Sequence, residues 1–418
     1  VENVIQFFKL TPPSEGERIV RDQDGVLAVP DNPIIPFMNG DGVGAEIMAA
    51  TQLVVDEAMK KAFDETKKIS WFQIYAGSEA KDLYDEYLPQ DTTAAIQYYL
   101  IGIKGPLTTP TGGGIRSLNY TFRNTFDLYA CIRPCFYIPG TPSPARYPEH
   151  MNIVIFRENT EDVYNGIEWD ASSDDARKLR AFMKDELGID ISDDAGIGLK
   201  EISESKTKRL VRVAIKHAIE NDLPSVTIMH KGNIMKYTEG NFNKWAYEVA
   251  SEEFGDKTIT EKEVREKLGG HPPEGMIVMK DRIADNMLYQ VLIQPEEYSV
   301  IVAPNLNGDY LSDVCASQIG GLGMAPSANI GDDYAMFEAA HGTAPDIAGQ
   351  NMANPTSLIL SACMMLEYIK WPEAAAIIKN AIMGTIKKGF LTSDLARLMK
   401  GSTSLSTTDY AQKIVENM

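Results

Sequence analysis

The chain has 418 residues, 44% of them hydrophobic, and a formal net charge of −19. That length accommodates two domains and a large core, and the apolar fraction excludes a disordered chain. The acidic balance argues against a general nucleic-acid or anionic-membrane binder, so an anionic ligand would need a local basic pocket.

Residues 1–30 read as an N-terminal extension with a turn at Thr11-Pro-Pro-Ser14. Residues 34–38 read as a strand, Gly40-Asp-Gly-Val-Gly44 as a tight loop, and 46–62 as a helix with Ile47, Val54 and Met59 at helical spacing. Further strands are expected at 71–76 and 99–104. The Gly40 loop resembles a dinucleotide fingerprint, but the ribose-binding acid that should follow about twenty residues on is missing. A glycine turn packing a strand closely on its helix is expected instead.

Residues 104–119 contain three consecutive glycines followed by Arg116, Ser117 and Asn119, with Arg123 just beyond. Glycines free the backbone to approach a ligand, and these donors suit carboxylates. A strand at 152–156 leads into Arg157-Glu-Asn-Thr-Glu-Asp-Val-Tyr164, and 170–202 is charge-rich and reads as a protruding insertion. Residues 204–220 read as a helix whose Lys206, Lys208 and Arg209 form a solvated face. A strand at 226–229 ends in His230-Lys231-Gly-Asn233, and 255–275 reads as a polar surface excursion.

After a short strand at 299–303 comes Asn305-Leu-Asn-Gly-Asp-Tyr-Leu-Ser-Asp313. Asp309 and Asp313 are four apart, so on a helical turn their carboxylates share a face and could hold Mg²⁺ or Mn²⁺. For this spacing alone, a capping acid and a solvated acid is the competing reading. Strands alternating with helices indicate α/β architecture.

Cys131, Cys135, Cys315 and Cys363 form no Cys-x-x-Cys pair, so buried free thiols in a reducing compartment are expected. The N-terminus carries no basic, cleavable leader pattern, and the longest apolar run is broken by Glu367. The expectation is a cytoplasmic protein with no membrane span.

Several long motifs occur in order: Lys104-Gly-Pro-Leu-Thr-Thr-Pro110, Arg157-Glu-Asn-Thr-Glu-Asp162, His230-Lys-Gly-Asn-Ile-Met-Lys236, Asn305-Leu-Asn-Gly-Asp-Tyr310 and His341-Gly-Thr-Ala-Pro345. Together they resemble the decarboxylating isocitrate dehydrogenases of bacterial and archaeal type, within the isocitrate/isopropylmalate dehydrogenase family. The resemblance implies that family's non-Rossmann fold. A large α/β domain (1–128 and 320–418) and a small one (129–161 and 204–319) would be joined by a clasp at 162–203. It implies a homodimer with shared active sites that converts isocitrate to 2-oxoglutarate and CO₂.

By the same resemblance, Asp285, Asp309 and Asp313 would bind the metal, with Asp285 supplied by the partner of the chain carrying Asp309. Lys231, also from the partner, and Tyr164 would transfer protons. Arg123, Arg133 and Arg157 would bind carboxylates, and Ser117 and Asn119 the γ-carboxylate, favouring isocitrate over the apolar branch of isopropylmalate or over homoisocitrate. Some family members are switched off by phosphorylation at the position of Ser117.

Thr109, His341, Gly342, Asp346, Ile347 and Asn354 would contact the coenzyme. NADP-using members carry Lys-Tyr where this chain has Asp346-Ile347, Tyr at Ser393 and a partner's Arg at Gln294; only Arg397 matches a phosphate-binding position. The expectation from these positions is NAD, with NADP as the alternative. A non-catalytic regulatory subunit is disfavoured, because the metal acids, Lys231 and Tyr164 are all present.

Overall fold

Strands with apolar residues on both faces need helices on either side, and an extended sheet covered in this way organises the molecule. The structure, a computed structural model, describes residues 5–23, 25–108 and 117–418. Among them, eleven strands form one sheet in the order Thr258–Thr260, Ile277–Ile283, Ser225–His230, Val300–Ala303, Asn152–Glu158, Ala130–Phe136, Pro326–Ile330, Ala335–Ala339, Ile101–Lys104, Ile34–Met38 and Ser70–Gln73. Both ends of the sheet are parallel. In the middle, Ala130–Phe136 runs antiparallel to both neighbours, and Pro326–Ile330 runs antiparallel to Ala335–Ala339.

Among the described residues there are three apolar cores, the smallest around Met38, Phe72, Ile96 and Phe122. Helices Gly44–Phe63, Thr356–Tyr368, Pro372–Lys387 and Thr407–Glu416 enclose Met48, Val55, Leu358, Ile382 and Ile414. Helices Glu204–Glu220 and Glu239–Glu253 cover the far strands through Leu210, Val211, Phe242 and Val249, against Ile228 and Val302. The large mixed sheet is not Rossmann-like. The Gly40 loop packs as a turn: Gly42 has φ 58°, and a Cβ there would run into the Thr343 carbonyl.

The described part of the N-terminal extension is tied down: Leu10 and Ile19 are buried and Asp91 accepts from the Phe8 and Lys9 N–H groups at 2.8 and 2.7 Å. Two expectations are corrected. The polar excursion holds an edge strand, Thr258–Thr260, and a helix, Glu261–Lys267, started by a capping box between Thr260 and Glu263. The basic run is not merely solvated: Lys206 donates to the Thr160 carbonyl (2.9 Å), Lys208 pairs with Glu204 (2.6 Å) and Arg209 with Asp127 (2.6 Å).

Within 162–203 lie the largely exposed helix Asp174–Leu187 and a short antiparallel ladder of Glu168–Trp169 with Ile197–Gly198. All four cysteines are free and buried. Among the described residues, no helix is long and apolar enough to cross a membrane.

Candidate active site

Alternation along adjacent antiparallel strands brings two arginines to one face. Cys131 lies opposite Arg157, and Arg133 opposite Ile155, so the two guanidinium groups are diagonal neighbours. Arg123 joins them from the last turn of helix Leu118–Thr125. All three are at least nine-tenths buried.

Each is pinned. Arg157 donates through Nε (2.9 Å) and Nη2 (2.7 Å) to Asn305 Oδ1, pairs with Asp309, and lies 4.7 Å from the Tyr164 ring centre. Arg133 donates to Ser312 Oγ at 2.6 Å and reaches Asp309 (3.8 Å) and Asp313 (3.6 Å). Arg123 reaches Glu338 at 3.3 Å.

Helix Asn305–Gln318 therefore supplies Asp309 and Asp313 and the groups that hold Arg133 and Arg157, while Arg123 is held by Glu338 of strand Ala335–Ala339. Burial, with Arg133 and Arg123 nearby, pushes the Arg157 guanidinium down. Among the described residues, Arg123 Nε and Arg133 Nε are buried without a hydrogen-bond partner. Crowded, under-satisfied guanidinium groups are what an incoming polyanion would relieve.

The arginines line a cavity of about 200 Å³ together with Ser117, Asn119, Tyr120, Tyr164, Asp309 and Glu338, with His341 and Gly342 at one side. Ser117 caps helix Leu118–Thr125, and Asn119 Oδ1 accepts from Lys104 Nζ at 2.9 Å. Lys104 pairs with Glu338, and both are buried. Burial works to raise Glu338, but Lys104 and Arg123 hold it well below the usual carboxylate range.

Tyr164 donates to Asp309 Oδ2 at 2.7 Å, and its hydroxyl is pushed up to about 12 by burial, with Asp309 adding to the rise. Burial opposes the ionisation of Asp309, but Arg157, the Tyr164 hydrogen bond and Arg133 lower it overall. Asp313 is raised, by burial and then by Asp309 against the pull of Arg133.

Sequence reasoning did not single out Glu338 or Ser312, nor give Lys104 and Asn305 roles of their own. A charged residue inside the apolar strand Ala335–Ala339 was the available signal for Glu338.

A second cavity, of about 410 Å³, adjoins through His341 and Gly342 and is lined by Val43, Ile347, Asn354, Ser393 and Asp394. Asn354 is held by Asp394 at 3.1 Å. Burial lowers the His341 imidazole. Asp346 is exposed on the turn Pro345–Ile347 and does not line this cavity, and Gln294 lines a different groove. Thr109 lies outside the described residues, as does Arg116.

Lys231 and Asp285 pair with each other and do not line the cavity that Asp309 lines. Among the described residues no three His, Cys, Asp or Glu side chains converge to hold a metal. Asp309 and Asp313 present two carboxylates one helical turn apart, which fits part of a divalent-cation site and needs a further acid.

Residues 34–414 match the family model for isocitrate/isopropylmalate dehydrogenase. The chain belongs to the isocitrate/isopropylmalate dehydrogenase family. A relative from Archaeoglobus fulgidus, named isocitrate dehydrogenase [NADP], is 55% identical over 99% of both chains. One of the same name from Haloferax volcanii is 51% identical over 99% of both. The crystal structure of isocitrate dehydrogenase from Methylococcus capsulatus superposes with a TM-score of 0.76 at 36% identity, covering 92% of this chain and 98% of that one.

These relatives overturn the NAD expectation, since members this similar are named for NADP. Asp346 points its charge to solvent, where it is screened, instead of lining the cavity. Arg397 remains on the short stretch after Ser393 and Asp394, which do line it.

Proposed function

We propose that this chain catalyses the NADP-linked oxidative decarboxylation of isocitrate to 2-oxoglutarate and CO₂. The observation that carries the reading is the convergence of Arg123, Arg133 and Arg157 with Tyr164 and Asp309 on one cavity. Lys104, Arg123, Arg133 and Arg157 face the carboxylates of Asp309, Asp313 and Glu338, leaving one positive charge. A divalent cation would raise this to a charge opposite that of a tricarboxylate.

In this reading the guanidinium groups clamp two carboxylates of isocitrate, and Ser117 and Asn119 orient the third. Ser117 and Asn119 favour isocitrate over isopropylmalate, because polar groups facing an apolar branch would be left unsatisfied. Asp309 and Asp313, with Asp285 of the partner subunit, would hold Mg²⁺ or Mn²⁺, which when bound supplies Lewis-acid polarisation of oxygen. Lys231 of the partner subunit takes the hydroxyl proton. Tyr164, protonated at neutral pH, delivers a proton to the carbon that loses CO₂. His341, Gly342, Ile347 and Asn354 line the coenzyme side, with Arg397 as a contact for the 2′-phosphate.

The proposed assembly is a homodimer with shared sites. Support comes from the exposed apolar side chains Ile234, Tyr237, Tyr289 and Tyr310, which lie close in sequence to Lys231, Asp285 and Asp309. The division into a large domain, a small domain and a clasp, and a cytoplasmic setting, belong to the same proposal; the four buried free thiols support the latter.

The test is initial-rate kinetics with isocitrate and 3-isopropylmalate, each with NADP and NAD, before and after chelation. The expected result is metal-dependent turnover with the highest kcat/KM for isocitrate and NADP. Absence of turnover, or a higher kcat/KM with NAD or with 3-isopropylmalate, would reject the reading.

A further inference from the structure

A buried ionic cluster lies behind the site, centred on Lys200. Its Nζ bridges Asp162 (2.6 Å) and Glu239 (2.9 Å), and both carboxylates are buried. Each acid then reaches a different part of the proposed machinery. Glu239 Oε2 accepts from the Lys231 backbone N–H at 2.5 Å and from Asn307 Nδ2 at 2.8 Å. Asp162 accepts from the N–H of Leu306 (3.0 Å) and of Val163 (2.8 Å).

Leu306 and Asn307 lie in the first turn of helix Asn305–Gln318, which carries Asp309 and Asp313. Asp162 begins the turn Asp162–Asn165 that carries Tyr164. One ammonium group thus joins the turn of Tyr164, the helix of the two acids and the turn of Lys231.

Two backbone features are spent on this junction. Asp162 has φ 75°, a left-handed conformation costly for a residue with a side chain. Gly232 packs on Gly240 so closely that a Cβ on it would lie 2.6 Å from the Gly240 Cα. That approach delivers Glu239, the first residue of its helix, to the Lys231 N–H. For Lys200, burial works against the charged form, but the bonds to Asp162 and Glu239 outweigh it.

A buried ion pair is weak evidence of net stabilisation, but it fixes geometry where its acids are also hydrogen-bonded; here Asp162 and Glu239 Oε2 are, and Glu239 Oε1 has only the charge contact to Lys200.

We infer that Glu239, with Lys200 and Asp162, is a positioning residue that sets Lys231 and the Tyr164 turn relative to helix Asn305–Gln318. The inference rests on the roles proposed above for Lys231 and Tyr164. If the sites are shared between subunits, the same carboxylate links the lysine donated to the partner with the helix retained for the chain's own site.

The test compares wild type, Glu239→Gln and Glu239→Asp in isocitrate turnover with NADP and Mg²⁺, with kcat, both KM values and the pH profile of kcat. Glutamine keeps the shape but presents an amide where one donor must be accepted. Glu239→Gln is expected to lower kcat by about tenfold or more, the scale of misplacements below 1 Å. KM for NADP should stay within about twofold, and the acidic limb of the profile should move. Glu239→Asp, which keeps the charge, should recover part of the loss.

A kcat within about twofold of wild type, or a lowered kcat with the acidic limb unmoved, overturns the inference. If Glu239→Gln does not fold, Asn307→Ala removes one donor from the same carboxylate and is read by the same criteria, with a several-fold loss expected. Wild type that does not turn over isocitrate fails the proposed function instead, so the two failures are distinguishable.

Discussion

At the scale of single residues, the site is a balance of buried charge. Arg133 touches Ser312, Asp309 and Asp313 at once. Truncating one partner of a buried, hydrogen-bonded charge pair costs about 2–5 kcal/mol. Arg133→Met is therefore expected to lower kcat/KM for isocitrate by roughly a hundredfold or more while leaving KM for NADP nearly unchanged. Ser117→Asp is a sharper probe of the same pocket. Aspartate is as good a helix cap as serine, so helix Leu118–Thr125 should form normally. Its charge would face the substrate's carboxylate, so KM for isocitrate should rise steeply with the melting temperature unchanged; full activity would remove Ser117 from the substrate subsite.

Glu161 carries a prediction of a different kind. Burial and neighbouring Glu158 push it up to about 7 from 4.5, although Ser203 donates to it. A carboxyl group raised on folding contributes stability below its unfolded value, and that contribution is lost as pH rises through the folded value. The melting temperature of Glu161→Gln relative to wild type should therefore increase between about pH 5 and pH 8. A constant difference would mean that Glu161 titrates normally.

At the scale of elements, the glycine turn after strand Ile34–Met38 clamps the side of the second cavity, proposed above for the coenzyme. Val43 N–H donates to the Thr343 carbonyl at 3.0 Å, and Asp41 accepts from the Thr108 N–H at 2.7 Å. Gly42→Ala meets both a positive φ and the Thr343 carbonyl. It should raise KM for NADP several-fold more than KM for isocitrate; equal effects on both would show that the turn serves stability only. Several elements were legible in sequence: the helix at 204–220 and the strand at 34–38 stand where they were read, and the strand read at 152–156 runs on to Glu158. Thr258–Thr260 was not, because an edge strand of three residues buries too little to leave an apolar pattern. The basic run of helix Glu204–Glu220 was misread because charge in sequence does not reveal which acids fold against it.

At the scale of the whole molecule, local motifs located the arginines, Tyr164 and the Asp309–Asp313 pair, and the fold brings the arginines, Tyr164 and Asp309 onto one cavity, with Asp313 beside Arg133. Coenzyme choice was not legible in the same way. Four substituted positions pointed to NAD, yet relatives up to 55% identical over the full chain are named for NADP. Recognition of a phosphate sums over a surface, and a rim carboxylate such as Asp346 weighs little when solvent screens it. Lys231 and Asp285, paired with each other away from the cavity, acquire their proposed roles only across a subunit boundary. The decisive measurement is complementation: Asp309→Asn and Asp285→Asn chains, each inactive as homodimers, are co-expressed and assayed with isocitrate, NADP and Mg²⁺. Random pairing in a two-fold dimer with shared sites leaves one intact site in each mixed dimer and should restore about a quarter of wild-type activity. A mixed preparation as inactive as either parent would contradict a site built from two chains.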